Sequence, residues 1–354
     1  MVDWSLARQI ARLAAGSAGG PAPEVDLVEL GAEMEPHVRG YTRLGLLSPV
    51  PEAELVSRAE WASLNLDSFA RLLDPVAVRL DRRLEFAGPL AGALRIAAGA
   101  TLAAEVGLVL GYVSQRVLGQ YELSLLQPEA APRLVFVGPN LERAVRDLGV
   151  DRDSFLGWIV IHELTHVFQF QSVPWLREHL GGLLRGYLRT VEVRIERGAA
   201  GGLPSLPHPS RLVEAFRDGG LVALVQTREQ RALMERIQAV MAVIEGYSEH
   251  VMDVLGARLL PAYSGLRTAM DRRRRSRSAP ERIIERLLGM ELKLRQYELG
   301  KRFCDLVAER QGIDGLNLVW RAPEALPTLA ELSRPDAWLD RVAAGTGAAA
   351  GAAP

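Results

Sequence analysis

Apolar positions along the first 130 residues recur at helical spacing, with breaks around Pro49-Val50-Pro51 and Pro75, so this part of the chain reads as helices that each bury one stripe. Leu134-Val135-Phe136-Val137 departs from that period. It is a short β-prone run closed by Gly138-Pro139-Asn140 and predicts a strand. Leu141 to Leu148 then reads as a helix stopped by Gly149, and Asp151 or Asp153 can cap a helix running from about Ser154 to Phe170, which Pro174 ends. Helical patterns follow at about 176–196, 227–255 and 280–311, the first two separated by a Gly/Pro-rich loop from Gly201 to Ser210. No internal repeat has a fixed period. The pattern predicts a mostly α protein of the α+β kind with a small sheet.

Punctuation at the ends sets expected boundaries. Gly16 to Pro23 (GSAGGPAP) reads as a joint, so residues 1–24 are expected to form a flexible N-terminal segment and 25–343 a single domain. Residues 344–354 are expected to form a disordered Ala/Gly tail.

With 48% apolar and 24% charged residues in 354, the chain can bury a sizeable core. Its 42 basic residues against 43 acidic ones leave a charge of −1, which gives the whole molecule no electrostatic reason to seek nucleic acid or anionic lipid. Arg272 to Arg275 with Arg277 is the one basic run. No aromatic residue interleaves it and Asp271, Glu281 and Glu285 lie nearby, so a solvated turn is expected and no nucleic-acid partner. Ile96 to Ser114 is long enough to span a bilayer, but Glu105 at its centre would cost about 2.5–3.5 kcal/mol there. Gly99, Gly107 and Gly111 suit close helix packing equally well, and a buried core helix with no membrane partner is expected. Met1 to Gly20 is interrupted by Asp3, Arg8 and Arg12 and does not read as an export signal. The single Cys304 cannot form an internal disulfide, which fits a reducing cytoplasm.

The chemistry concentrates in Ile159-Val-Ile-His162-Glu163-Leu-Thr-His166-Val-Phe168, an H-E-x-x-H sequence in an uncharged surround. Residues four apart lie one above the other on a helix, so His162 and His166 can present two imidazoles to one Zn2+. Glu163 lies about 100° further round, off the ligand line but within reach of a water at the metal, where a carboxylate serves as general base. An isolated carboxylate in an apolar helix is costly unless something compensates it, and a metal does.

A catalytic zinc site uses three protein ligands. Glu245 is the first candidate for the third, in Val243-Ile-Glu-Gly-Tyr-Ser-Glu249-His-Val-Met-Asp253, with Glu249 and Asp253 following on the same helical face. Glu249 could then accept a free ring N–H from one of the histidines. His250, about 140° from Glu245, and His179, beyond the Pro174 break, are the other contenders. Tyr247, Tyr263, Tyr297, Arg295 and His250 are all chemically able to stabilise an oxyanion, and spacing does not choose among them. Asn140 and the strand at 134–137 are candidates for lining a cleft and pairing with an extended peptide.

His162-Glu-Leu-Thr-His166-Val-Phe-Gln-Phe-Gln-Ser-Val-Pro-Trp-Leu-Arg-Glu-His-Leu180, with Val117-Leu-Gly-Gln-Tyr-Glu122 upstream and Ile244-Glu-Gly246 and Val251-Met-Asp253 downstream, resembles the zincin-like metallopeptidase type 2 family. That family is largely actinobacterial, and one branch is labelled deazaflavin-coenzyme biosynthesis-associated. Leu287 to Gly300 and Trp320 to Pro327 resemble it as well, so the likeness spans roughly Val25 to Val342. It implies a zincin-like core with two lobes flanking a zinc cleft. It also implies His162, His166 and Glu245 as metal ligands, Glu163 as catalytic acid/base, and peptidase chemistry on an unnamed substrate. The expectation is therefore a cytoplasmic zinc metallohydrolase acting on a peptide or amide. The alternative is a noncatalytic zinc-stabilised binding or accessory protein linked to cofactor biosynthesis. Oligomeric state is not legible.

Overall fold

The computed structural model describes residues 2–16, 26–84, 91–122, 131–190, 228–275 and 290–350. They fall into two compact units. One holds the described residues up to Leu27, between Pro51 and Gly149, and from Leu188 to Thr190. The other holds Val28–Val50, Val150–Tyr187 and the described residues from Arg228 onward.

The first unit contains α1 (Trp4–Ala14), β1 (Ala53–Val56), α3 (Arg58–Leu84), α4 (Ala91–Ser114), β2 (Gly119–Glu122), β3 (Arg133–Val137) and α5 (Gly138–Leu148). The N-terminal segment carries α1. Asp3 caps it by accepting from the Ser5 and Leu6 amides at 3.1 and 3.0 Å. Its Ala7, Ala11 and Ala15 are fully buried or nearly so. The physical reason lies in α4, where a Cβ on Gly107 would stand 2.6 Å from the Ala7 carbonyl oxygen and one on Gly111 2.8 Å from that of Ala11. Two small-residue stripes let the backbones touch.

That same stripe corrects the expectation for Ile96 to Ser114. Ala103, Gly107, Leu110, Gly111 and Ser114 face inward, but Ile96 is 76% and Leu108 56% exposed, and only 28% of the apolar window is buried. Among the described residues, α4 is a covering helix and not a central one.

The predicted strand is β3. It lies in the middle of a three-stranded sheet, parallel to β1 (Ala53 opposite Leu134) and antiparallel to β2 (Tyr121 opposite Leu134). Both of its edges are occupied, so it has none to offer a peptide. Asn140 is likewise committed: its amide donates to the Ser114 and Val117 carbonyls at 2.7 and 2.6 Å and accepts from Arg58 Nε at 2.7 Å, which closes the turn after α4. Gly149 ends α5 at φ 62°, a left-handed position that glycine adopts without a Cβ penalty.

The second unit is helical: α2 (Leu27–Thr42, which begins at its margin), α6 (Arg152–Ser172), α7 (Pro174–Thr190), α8 (Arg228–Leu259), α9 (Tyr263–Arg275), α10 (Met290–Leu316), 3-10 turns at Asn317–Trp320 and Pro323–Ala325, α11 (Leu329–Leu332) and α12 (Pro335–Ala350). Asp151 caps α6 by accepting from the Ser154 amide at 2.8 Å. Helix α6 is buried on nearly every side from Ser154 to Gln169, as an all-round apolar helix must be. It packs on α8, which also packs on α10. The second contact is very close: a Cβ on Gly246 would lie 2.3 Å from the Gly300 carbonyl carbon. Helix α12 spans Pro335–Ala350, and its alanines are the strongest helix formers.

Candidate metal centre

Helix α6 supplies His162 and His166 one turn apart, and α8 supplies Glu245 from the neighbouring rod. The two Nε2 atoms are 3.2 Å apart, and Glu245 Oε2 lies 3.8 Å from each. A triangle with sides of 3.2, 3.8 and 3.8 Å has a circumscribed circle of radius about 2.1 Å. One point is therefore about 2.1 Å from all three atoms, against roughly 2.0–2.2 Å for zinc bonds to histidine nitrogen and carboxylate oxygen. Two imidazole nitrogens and one carboxylate oxygen form a donor set suited to Zn2+.

Burial shapes the site's electrostatics. Desolvation, with a further push from nearby His166, holds the His162 imidazole well below its ordinary pKa, so it stays neutral and keeps a lone pair. Glu163, the next residue on α6, is 5% exposed. The rings are held unequally. His166 Nδ1 meets Gln169 Oε1 at 2.9 Å, and Gln169 Nε2 donates to the Ile244 carbonyl at 2.9 Å. His162 Nδ1 is buried and has no hydrogen-bond partner among the described residues.

The expected role of Glu249 is thus filled differently at His166, by Gln169. Glu249 stands one turn, roughly 6 Å, further along α8 than Glu245; against desolvation, it adds the smallest push to the raised pKa of Arg267, after Asp253, Asp271 and Tyr263. The other candidates for third ligand lie elsewhere. His179 packs edge-on against Trp175. His250 Nδ1 bonds Asp305 at 2.8 Å and its Nε2 meets the Tyr41 hydroxyl at 2.7 Å. Asp305 and Asp253 share Lys301 at 2.6 and 3.0 Å, and Asp253 also binds Arg267 at 2.9 Å, so the last acidic position on the α8 stripe belongs to an ion network. Among the oxyanion candidates, Tyr247 is fully buried and donates to Asn317 at 2.8 Å. Burial first and then Asp253 push the Tyr263 phenol well up. The Arg295 and Tyr297 side chains lie outside the described set.

Sequence reasoning missed Gln169 and the Gly246–Gly300 contact. Each had a local signal. Gln169 is an amide three residues beyond a histidine on the same helix, and Gly246 directly follows the proposed acidic ligand.

A family model described as zincin-like metallopeptidase matches residues 2–339. A solved structure from Chloroflexus aurantiacus, provisionally described as a hydrolase with a novel fold, is 31% identical with a TM-score of 0.70 and covers 96% of this chain and 98% of its own. No functionally curated protein matches.

Proposed function

Since the chain belongs to the zincin-like metallopeptidase family, we propose that it is a zinc-dependent hydrolase that cleaves a peptide or related amide. The observation that supports this reading most strongly is the convergence of His162, His166 and Glu245, whose ligand atoms lie within 4.8 Å of one another. When bound there, zinc supplies Lewis acidity that polarises a carbonyl and makes water acidic enough to lose a proton near neutral pH.

The chain's own residues supply the rest. Desolvation keeps His162 neutral, so its lone pair is available at physiological pH. Glu245 brings a carboxylate among the three ligands, whose charge partly offsets that of a divalent cation. Glu163 takes a proton from the attacking water and returns it to the leaving amine as the C–N bond breaks, so one carboxylate serves as base and then as acid. A reducing compartment suits Cys304, which is a buried free thiol.

The test is Glu163→Gln, which keeps the shape and removes the base. The expected outcome is a variant that holds as much zinc as wild type and has lost hydrolysis of a peptide library by at least a hundredfold, on the scale of general-base contributions. Undiminished hydrolysis would refute the role given to Glu163.

A further inference from the structure

The hydrogen bonds around Gln169 have only one consistent direction. The Ile244 carbonyl can only accept, so the group facing it at 2.9 Å is the Gln169 amide nitrogen. The other end of the same amide, Oε1, is an acceptor and faces His166 Nδ1 at 2.9 Å. His166 Nδ1 must then carry the ring proton, which leaves Nε2 as the bare nitrogen, and Nε2 is the atom that meets His162 and Glu245. Gln169 is fully buried, so no bulk water competes for either end. Ile244, which fixes the amide, immediately precedes Glu245 on α8.

We propose that Gln169 is the positioning residue of this centre: it locks His166 as the Nδ1–H tautomer and pins α8 to α6 next to Glu245. This rests on the metal reading above for its purpose but not for its geometry. A single side chain thereby sets the chemical state of one ligand and the placement of another. Among the described residues none bonds His162 Nδ1, so the two histidines are held unequally.

Ring nitrogen chemical shifts of the metal-free protein at pH 8 read the tautomer directly, and zinc affinity is read by competition with a chromogenic chelator. Wild type should show His166 as Nδ1–H. Gln169→Leu, which removes both hydrogen bonds at similar volume, should lose that preference and weaken zinc binding by about 10- to 100-fold. Gln169→Glu retains an acceptor for Nδ1–H while losing the donor to Ile244; it should keep the tautomer and bind zinc more tightly than the Leu variant. A wild-type His166 protonated at Nε2 would overturn the proposal. So would a Gln169→Leu protein with unchanged ring shifts and a zinc dissociation constant within twofold of wild type. If Gln169→Leu does not fold, the wild-type and Gln169→Glu spectra decide. If wild type takes up no zinc, the metal reading falls by itself, and the ring spectra still decide whether Gln169 sets the tautomer.

Discussion

His162 Nε2 and His166 Nε2 face each other across 3.2 Å inside the protein. Two bare imidazole nitrogens at that distance repel, and only a shared proton or a cation makes the approach favourable. The Gln169 contact leaves His166 Nε2 bare. Without metal, a neutral His162 with its proton on Nε2 can donate to His166 Nε2; metal uptake moves that proton to Nδ1, so the neutral pair should bind metal without releasing a proton, and uptake should weaken only where acid protonates an imidazole.

Acid should also destabilise the metal-free fold through His162. In the unfolded chain this histidine takes a proton near its ordinary value of 6.5, whereas in the folded protein it resists until the solution is more acidic. Below pH 6.5 the unfolded state thus binds more protons, and stability falls as pH falls toward the folded value. Urea midpoints at pH 7.5 and 5.5 should drop further for wild type than for His162→Gln. Equal drops would contradict the buried, neutral assignment.

Glycines 246 and 300 should tolerate no side chain. A Cβ on Gly300 would lie 1.9 Å from the Ala242 carbonyl oxygen, and one on Gly246 2.3 Å from the Gly300 carbonyl carbon; both obstacles are backbone atoms that cannot swing aside. Either alanine substitution should destabilise the fold by about 1–3 kcal/mol or more by overpacking, and by pushing α8 it should also lower zinc affinity. Gly31→Ala on α2 is the control. Nothing lies within 4 Å of its added Cβ, and it should be neutral or stabilising by up to about 1 kcal/mol in denaturant titrations.

His250→Ala and His179→Ala should each retain the metal content of wild type. His250→Ala gives up bonds to Tyr41 and Asp305 at a buried position and should cost about 1–3 kcal/mol of stability. Loss of metal in either variant would mean that the ligand set is misassigned.

Zinc should stabilise the protein by mass action, about 2.7 kcal/mol at a free concentration one hundred times its dissociation constant. Differential scanning calorimetry with and without a chelator should show this as a lower Tm in the stripped protein. An unchanged Tm would count against a folded-state site.

The sequence made the site's chemistry legible because helical spacing alone brings His162 and His166 together and because Glu245 interrupts an apolar run. Asp151 and Gly149 bracketed two helices correctly, since capping and left-handed turns depend on single residues. What stayed hidden depends on neighbours distant in sequence. Strands β1 and β2 are four residues each, AELV and GQYE, and exist only because β3 pairs with both. Helix α1 is ordered by glycines a hundred residues away in α4. Gln169 meets His166 from three residues along the same helix, but the Ile244 carbonyl that orients its amide comes from α8, which the spacing on α6 does not reveal.

Metal stoichiometry by elemental analysis of wild type, His166→Ala and Glu245→Ala tests the central claim most directly. The account predicts one zinc per chain in wild type and well under half that in both variants after identical dialysis. One zinc per chain in all three would contradict it.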